Sequence, residues 1–364
     1  MAKKRTLQDV ARLAGVSAAT VSRVVTGASK VNADLADRVR KAADQLGVNL
    51  NRKSKPSVVG FLLSNREMLH PFHSRLLVGA ESYCSEHGYN LLYLSYRYEA
   101  RVPWRELHVP GIFEQRDLIC GFIVAGANYQ NLLELLSSRQ VPLAILGNNV
   151  VGEWNESDHD VVWFDDVRGS FDLTQYLIQL GHRHIWYVGN QRLPWFVRRY
   201  AGYCRAMAEA GLVARLSDVD SSRDFEIGYL GTKSLLSRKE PVSAIIAGGD
   251  PTAQGVYTAL RDLKLKIPDD ISVGGFNDIE APMLHPPLTT VRAYPEQVGS
   301  RLAQLLLERV EQQDTLPFRR EVVPTQLVKR ESCLPLFQSA DSPSPSFAAA
   351  IGSQGTDEGE HKST

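Results

Sequence analysis

The amino-acid sequence predicts a small all-α head joined to a larger α/β body of two lobes. In the first fifty residues, apolar side chains recur at helical spacing. From about residue 58 onward, β-rich apolar runs alternate with helical patterns. Such alternation is typical of parallel sheets with helices on both faces. At 364 residues the chain is long enough for more than one domain.

Residues 6–26 are predicted to form two short helices joined by a tight turn. Thr6 can cap the first helix, with Asp9 three residues further on. Gly15 can adopt the left-handed conformation that ends this helix, and Ser17 can cap the second. An ordinary helical hairpin or a helix-turn-helix would both fit this pattern. The side chains expected to face inward are Leu7, Val10, Ala11, Ala14, Val21, Val24 and Val25.

A third helix is predicted between Asn32, a candidate cap, and Gly47, a candidate terminator. Its apolar stripe consists of Leu35, Val39, Ala42, Ala43 and Leu46. Three helices in about 45 residues form a very small core. We therefore expect dimerisation or DNA to contribute to the order of the head.

Charge is distributed unevenly along this formally neutral chain. Residues 1–55 contain twelve Lys or Arg and four Asp, a net charge of +8, whereas the remainder has 29 basic and 37 acidic residues, a net charge of −8. A basic surface gains affinity for phosphates through counterion release, and an acidic body repels them. The distribution therefore favours a helix-turn-helix head that contacts double-stranded DNA.

These features resemble the lactose-repressor family of bacterial transcription regulators. The matching segments of the head are Thr6-Leu7, Asp9–Ala11, Ala14–Ser17, Thr20–Val25 and Asn51-Arg52. Those of the body are Leu180–Ile185, Arg199, Gly202-Tyr203, Pro268–Val273, Pro287–Val291 and Leu327–Ser332. The resemblance implies a helix-turn-helix head on a periplasmic-binding-protein-like effector domain. It also implies a regulator, here expected to be a repressor, whose operator affinity depends on a sugar or related metabolite bound between two lobes.

The expected domains are a helix-turn-helix domain at 5–52, a basic linker at 53–57 and an effector-binding and dimerisation domain at 58–333. The lobes are expected near 58–160 and 162–290, with a disordered tail at 334–364. A helix at 296–312 and a strand near 320–328 are expected to return to the first lobe. The other predicted strands are 58–63, 91–94, 121–124, 143–146, 185–188, 244–247 and 272–275.

The second helix is expected to lie in the DNA major groove. Arg23 can reach guanine O6 and N7 or bridge phosphates, although a solvated surface arginine is the alternative. Ala18 and Ala19 can touch thymine methyl groups but cannot form bidentate hydrogen bonds. The residues expected to contact DNA are Thr6, Leu7, Gln8, Ser17, Ala18, Ala19, Thr20, Ser22, Arg23, Thr26, Lys30, Asn32, Asn51 and Arg52.

The linker departs from the family pattern. Members usually follow Asn-Arg with a hinge helix whose leucine enters the minor groove and kinks the DNA. Here only residues 53–57 separate Arg52 from the first predicted strand, Pro56 disfavours helix, and no leucine is present. We expect an extended linker in which Lys53 and Lys55 contact phosphates, with a helix formed on DNA as the alternative.

The resemblance aligns Arg199 with an effector-binding arginine, although a salt bridge to a neighbouring helix is the alternative. Asn277 stands where many sugar-binding members have an aspartate, which puts a standard sugar site in doubt. Gly249 replaces a family asparagine and leaves Asp250 as a candidate. Phe72 and Trp195 can stack on a ring or belong to the core. The expected effector site is therefore Phe72, Trp195, Arg199, Asp250 and Asn277.

No nucleophile elbow, phosphate loop or kinase signature is present, so we expect no enzyme activity and no cofactor. His182 and His184 could form a metal pair, but turn or cap roles are favoured because no third ligand is near in sequence. The four scattered cysteines indicate reduced thiols in a bacterial cytoplasm.

No segment is apolar enough to span a membrane, and no secretory signal precedes the basic N-terminus. No C-terminal leucine heptad is visible, so a homodimer is expected. An exported sugar-binding protein or sugar-active enzyme with a basic head would need an export signal or a catalytic constellation. The sequence shows neither, which favours the regulator.

Overall fold

We describe a computed structural model that covers residues 6–25, 31–46, 48, 57–67, 70–115, 117–312 and 316–336. The head contains three helices: α1 (Leu7–Ala14), α2 (Ala18–Val25) and α3 (Ala33–Leu46). The body contains two α/β lobes. Because the head and the body are separate units, each is described by itself.

The helix ends of the head have the predicted caps. The backbone N–H and the hydroxyl of Thr6 both donate to Asp9 Oδ2, at 2.8 and 2.9 Å. Gly15 ends α1 with a φ of 64°, the left-handed conformation that favours glycine. Ser17 Oγ accepts from the Thr20 N–H at 3.1 Å, and Asn32 Oδ1 accepts from the Asp34 N–H at 2.9 Å.

The core of the head is small and formed by the predicted side chains. Val10, Val21 and Val39 are fully buried, one from each helix. Around them lie four buried alanines and a shell of half-buried apolar side chains: Ala11, Ala14, Ala42, Ala43, Leu7, Val16, Val24, Val25, Leu46 and Val48. The alanines let the helices approach closely. The predicted terminator Gly47 lies outside the described residues.

The body contains twelve strands and seven α-helices in the described ranges. The strands are β1 (Val58–Ser64), β2 (Asn90–Tyr96), β3 (Ile119–Gly126), β4 (Leu143–Leu146), β5 (Asp160–Phe164), β6 (Ile185–Gly189), β7 (Arg215–Asp218), β8 (Ala244–Ala247), β9 (Ser272–Asn277), β10 (Thr289–Arg292), β11 (Arg320–Val323) and β12 (Gln326–Val328). The helices are α4 (Pro71–Glu86), α5 (Gln130–Ser138), α6 (Asp166–Gln179), α7 (Pro194–Glu209), α8 (Asp224–Ser237), α9 (Asp250–Asp262) and α10 (Pro295–Gln312).

The strands form two six-stranded sheets. The first has the order β11-β5-β4-β3-β1-β2 and the second β12-β10-β9-β8-β6-β7. In the second sheet β12 pairs antiparallel with β10, and the remaining pairs are parallel. Strands β3, β4, β8 and β9 are buried along their whole length, which explains their continuous apolar sequences.

Helices cover both sheets. Helices α4 and α10 pack on the first sheet and on each other, whereas α6 to α9 pack around the second. Helices α4 and α10 cross at two glycines: a Cβ at Gly79 would lie 1.9 Å from the Glu296 carbonyl oxygen, and one at Gly299 would lie 2.0 Å from that of Leu76. Through this contact the C-terminal helix α10 packs against the first lobe.

Two expectations about the lobes were wrong. Strand β5 lies between β4 and β11, so the first lobe extends to Phe164 rather than to about residue 160. The single strand expected near 320–328 is two strands, of which β11 joins the first sheet and β12 the second. The interruption falls at Pro324, which has no N–H to donate to a sheet.

The chain passes between the sheets at three places: between β5 and α6, between β10 and α10, and between β11 and β12. Each passage takes one or two residues, at 165, 293–294 and 324–325. The lobes are therefore joined by three short neighbouring segments.

The body continues past residue 334, at which the tail was expected to begin. The Leu334 N–H donates to Ser272 Oγ at 3.1 Å, and the Leu336 N–H donates to the Leu180 carbonyl at 2.7 Å. The buried ring of His182 lies between Ser243 Oγ, at 3.0 Å, and the Leu334 carbonyl, at 3.1 Å, a structural role in a turn. Residues 337–364 lie outside the described ranges. No helix in those ranges is long and apolar enough to cross a membrane.

Candidate functional site

The second helix of the head presents a nearly continuous polar and small-residue face to solvent. Ala18, Ala19, Ser22 and Arg23 are exposed, and Thr20 is half-buried. Only Val21 of this helix is fully buried, so α2 rests on the core along a narrow stripe. A helix held in this way exposes most of its surface to solvent, as a helix that enters a groove must.

The other residues expected to contact DNA have varied environments. Thr6, Gln8, Ser17 and Asn32 are exposed, whereas Leu7 is half-buried against the core of the head. Three of these residues, Thr6, Ser17 and Asn32, already act as helix caps. They can contact DNA only through their remaining lone pairs and backbone groups. Thr26, Lys30, Asn51 and Arg52, which were also predicted to contact DNA, lie outside the described residues, as does most of the linker.

A cleft within the body brings side chains of both lobes together. The empty space amounts to about 310 Å³, including the part open to solvent. The first lobe contributes the loop after β1, helix α4, a short 3-10 turn at Gly147–Asn149 and the end of β5. The second lobe contributes α7, α8 and the end of β9. The lining residues are Arg66, His70, Phe72, His73, Asn149, Phe164, Trp195, Arg199, Asp224 and Asn277.

Arg199 is the central cation of this cleft. Its guanidinium donates to the Gly248 carbonyl and, through Nη2, to Asn277 Oδ1 at 3.1 Å. It also lies 3.9 Å from the ring centroid of Phe276. The side chain is 3% exposed, and burial lowers its pKa. It forms no ion pair with any carboxylate of the described residues, so the predicted alternative of a salt bridge to a neighbouring helix is not what the structure shows.

Asp224 closes the cleft from the second lobe. Arg66 Nη2, on the loop after β1, donates to both carboxylate oxygens at 3.2 Å, and His70 Nε2 lies 3.1 Å from Oδ2. All three side chains are largely buried. Burial alone would raise the pKa of Asp224, but the Arg66 charge and the His70 hydrogen bond hold it well below its ordinary value. The carboxylate is therefore ionised and links the lobes.

His73 lies beside this pair in α4. Asn149 Nδ2 donates to the Gly126 carbonyl and lies 3.0 Å from His73 Nε2. Complete burial and the charges of His70 and Arg66 lower the pKa of His73 well below its ordinary value. The imidazole is therefore neutral.

Aromatic rings complete the cleft. Arg66 stacks over Trp195 at 4.7 Å from the ring centroid. Phe72 and Phe164 lie 5.4 Å apart, and Phe164 faces Phe276 at 6.5 Å. A bound molecule would therefore meet apolar ring surfaces as well as charges.

Four of the five residues expected to bind effector line the cleft: Phe72, Trp195, Arg199 and Asn277. The fifth, Asp250, is not among the lining residues. Its carboxylate accepts from the N–H groups of Ile279 and Glu280, at 2.6 and 3.2 Å, and from Thr290 Oγ1 at 3.0 Å. Burial raises its pKa to about 7, opposed by the Ile279 and Thr290 hydrogen bonds. Asp250 thus organises the segment after β9.

The sequence interpretation missed six lining residues: Arg66, His70, His73, Asn149, Phe164 and Asp224. His70 and His73 stand on either side of Pro71 and Phe72, so proximity to Phe72, which was expected at the site, was the available signal. Arg66 and Asp224 are 158 positions apart, and nothing local pairs them.

Comparison with known proteins decides the family. A family description, bacterial regulatory proteins of the lacI family, matches residues 6–49, and another, periplasmic binding protein-like domain, matches residues 174–333. The ribose operon repressor of Haemophilus influenzae is 30% identical over 345 residues, which cover 90% of this chain and 98% of the repressor. The chain belongs to the lacI family.

Other lacI-family proteins give the same result. The transcriptional repressor PurR of Glaesserella parasuis is 29% identical over 325 residues, covering 86% of this chain and 92% of PurR. The solved complex of the transcriptional regulator CelR with cellobiose has a TM-score of 0.67 and 28% identity, covering 90% of this chain and all of CelR. This lacI-family protein is a DNA-binding transcription regulator with a helix-turn-helix head and a periplasmic-binding-protein-like domain.

Proposed function

We propose that this protein is a homodimeric repressor whose affinity for operator DNA is controlled by a small molecule bound in the cleft of its body. The proposal rests on the environment of the Arg199 side chain. This side chain is buried at the cleft, where it lacks a carboxylate partner and one of its nitrogen atoms lacks a hydrogen-bond partner among the described residues. A buried nitrogen without a hydrogen-bond partner costs free energy, and a ligand that accepts a hydrogen bond from it removes that cost.

The relatives support a metabolite effector. One is named for the ribose operon, and the CelR structure contains cellobiose. The residues of this chain that would hold a sugar-like molecule are Phe72, Trp195, Arg199 and Asn277. The aromatic rings would cover an apolar face of the ligand, while Arg199 and Asn277 would orient its polar groups.

The DNA contacts belong to the head. The exposed face of α2 would lie in the major groove, with Arg23 reaching base edges or phosphates. Binding of a metabolite between the lobes would change the angle between them and so the spacing of the two heads in a dimer. We further propose that the protein acts in the bacterial cytoplasm and has no enzyme activity, as its relatives are regulators.

The experiment is a fluorescence anisotropy titration of the full chain with DNA from upstream of its own coding sequence. We expect saturable binding that is at least tenfold tighter than binding to scrambled DNA at the same salt concentration. A metabolite that binds the cleft should shift this affinity, and a transcription assay on the same DNA separates repression from activation. Equal affinity for the upstream and scrambled DNA would refute the proposal.

A further inference from the structure

We infer that the effector is an acid: a small molecule whose carboxylate or phosphate group pairs with Arg199. The inference rests on the proposed function, because it concerns the ligand of the same cleft, and it names the chemical class of that ligand. Three features carry it: the balance of charge, the excess of hydrogen-bond donors and the absence of an available carboxylate in the described lining.

The charges that line the cleft do not cancel. The arginine cations are Arg66 and Arg199, and the one ionised carboxylate among the described lining residues is Asp224, which His70 also contacts. Arg66 uses Nη2 to hold both oxygens of Asp224, so that pair is internally neutralised. Burial lowers the pKa of Arg199, and the carboxylates of Asp166, Asp224 and Asp250 offset this only in part, without forming an ion pair with it. Leaving a buried cation without a partner is strongly unfavourable, and an anionic ligand removes this penalty.

The acidic groups nearest to Arg199 are committed elsewhere. Asp166 accepts from Arg198 Nε at 2.9 Å and from Asn148 Nδ2 at 3.0 Å. Asp250 accepts two backbone N–H groups and the Thr290 hydroxyl. Asn277, whose Oδ1 accepts from Arg199 Nη2, has an uncharged amide. Arg199 is therefore paired only with a neutral carbonyl and a neutral amide.

The polar atoms that lack a partner at the cleft are mainly donors. Within the described part of the chain, Arg66 Nε and Arg199 Nε are buried and have no hydrogen-bond partner. The same holds for His73 Nδ1 and for His70 Nδ1, of which the latter is an acceptor when the His70 ring is neutral and donates to Asp224 through Nε2. An arginine nitrogen can only donate.

The tautomer of His73 follows from its neighbour. The Gly126 carbonyl can only accept, so the Asn149 group that faces it is the amide nitrogen. That nitrogen also donates to His73 Nε2, which must then be the bare acceptor of a neutral ring. The proton is therefore on Nδ1, the atom without a partner. Three buried donors thus need acceptors, and a carboxylate or phosphate consists only of acceptors.

A sugar without an acidic group fits this chemistry less well. Each sugar hydroxyl brings a donor as well as an acceptor, and its donor needs a partner such as a carboxylate. Both oxygens of Asp224 are occupied by Arg66, and one of them also by His70. The rings of Phe72, Phe164 and Trp195 would cover the uncharged part of the acid.

The first experiment compares matched pairs of ligands by isothermal titration calorimetry with the full chain at constant ionic strength. The probes are D-glucose, D-glucuronate, D-glucose 6-phosphate, D-ribose, D-ribose 5-phosphate, benzyl alcohol and benzoate. We expect at least one acid to bind tenfold or more tightly than its neutral counterpart. The sugar acid and the sugar phosphates distinguish a carboxylate from a phosphate as the anionic group. Absence of binding by every acid in this panel would overturn the inference.

The second experiment supplies the missing carboxylate from the protein itself. Asn277→Asp places an anion against Arg199 Nη2, and Asn90→Asp adds the same charge at an exposed position of β2 as the control. We expect Asn277→Asp to weaken binding of the acid by tenfold or more and to raise the thermal midpoint of the ligand-free protein, whereas Asn90→Asp changes neither. An acid that binds Asn277→Asp as well as it binds the parent protein would overturn the inference.

A second variant guards against misfolding of the first. Gly249 has extended backbone, and a Cβ there would lie 3.8 Å from Arg199 Nη1 and 3.7 Å from Asn277 Nδ2, both ordinary contacts. Gly249→Asp therefore brings a carboxylate to Arg199 by another route, and we expect the same loss of acid binding. A neutral metabolite that binds through Arg199 and releases operator DNA would overturn the inference but leave the proposed function intact. Acid binding without operator binding would refute the proposed function but leave the inference about the acid intact.

Discussion

Arg66 Nη2 lies 3.2 Å from each carboxylate oxygen of Asp224 and joins the loop after β1 in the first lobe to the first turn of α8 in the second. Both side chains are buried, with exposures of 6% and 7%. The pair therefore connects the lobes across the cleft in which Arg199 lies.

Asp224→Asn should destabilise the protein strongly, because it leaves Arg66 buried without a counter-charge. We expect the free energy of unfolding of the body to fall by about 3–5 kcal/mol, measured by urea denaturation. The control is Glu209→Gln, which removes the exposed Arg205–Glu209 pair on α7 and should cost about 0.3–0.5 kcal/mol. Equal effects of the two substitutions would show that the interlobe pair contributes little.

The Arg66–Asp224 pair should make the free energy of unfolding depend on pH in the acidic range. The folded protein holds the pKa of Asp224 below its unfolded value, so the folded state binds fewer protons there. The contribution of the pair is fully present above the unfolded pKa of about 4 and is lost as the pH falls below it. We expect the difference in unfolding free energy between the parent and Asp224→Asn to shrink from about pH 5 to pH 3. A difference that stays constant over this range would contradict the assignment.

Arg23→Ala should weaken operator binding by at least about 1–3 kcal/mol while the head keeps its fold. The side chain is exposed on α2 and lies outside the core of Val10, Val21 and Val39. Anisotropy titrations in matched salt measure the loss, and circular dichroism checks the helices. The control is Arg205→Ala in the body, which removes the same charge far along the chain. Unchanged operator affinity would identify Arg23 as a solvated surface arginine.

Arg199→Ala should abolish the response to the effector, because it removes the donor group at the centre of the cleft. We expect effector affinity to fall at least tenfold by calorimetry, and operator binding to become insensitive to the effector. Arg205→Ala, six residues further along α7, is again the matched control because its side chain pairs with exposed Glu209. Effector affinity that survives the loss of Arg199 would place the binding site elsewhere.

The linker should leave the operator with little central bend, because it has no leucine to insert into the minor groove. Most of it lies outside the described residues, so this remains an inference from sequence. A circular-permutation bending assay with the full chain measures the angle. We expect the electrophoretic mobility of the protein–DNA complex to vary little with the position of the operator in the DNA fragment. A strong central bend, together with a helix at residues 51–57 in the complex, would show that a hinge helix forms on DNA.

The sequence predicted most closely those elements whose pattern is set by burial on both faces. Strands Leu143–Leu146 and Ala244–Ala247 have the bounds that were expected. Strands β5, β7 and β10 were missed. Strand β5 begins with a buried aspartate, Asp160, which Arg309 and Arg319 neutralise from outside the strand. A local pattern cannot show that a charge will be paired with partners about 150 positions away.

The cleft was predictable where a family pattern marked it and not where distant residues meet. Arg199 was recognised from its alignment with the family and Phe72 as a ring that can stack on a ligand, but Asp224 looks in sequence like an ordinary acidic residue in the first turn of a helix. Asp250 was assigned to the effector because Gly249 replaces a family asparagine and leaves Asp250 as the candidate beside it. The orientation of its carboxylate toward Ile279 depends on the chain after β9, which no motif specified.

The two strands at 320–328 have a consequence for synthesis of the protein. One segment near the end of the body supplies the edge strand of both sheets, β11 beside β5 and β12 beside β10. Neither lobe is complete until this segment has been synthesised. A nascent or truncated chain that stops before residue 320 would expose the backbone edges of β5 and β10 together, and such open edges template aggregation. Completion of both lobes is thus coupled to the last part of the body to leave the ribosome.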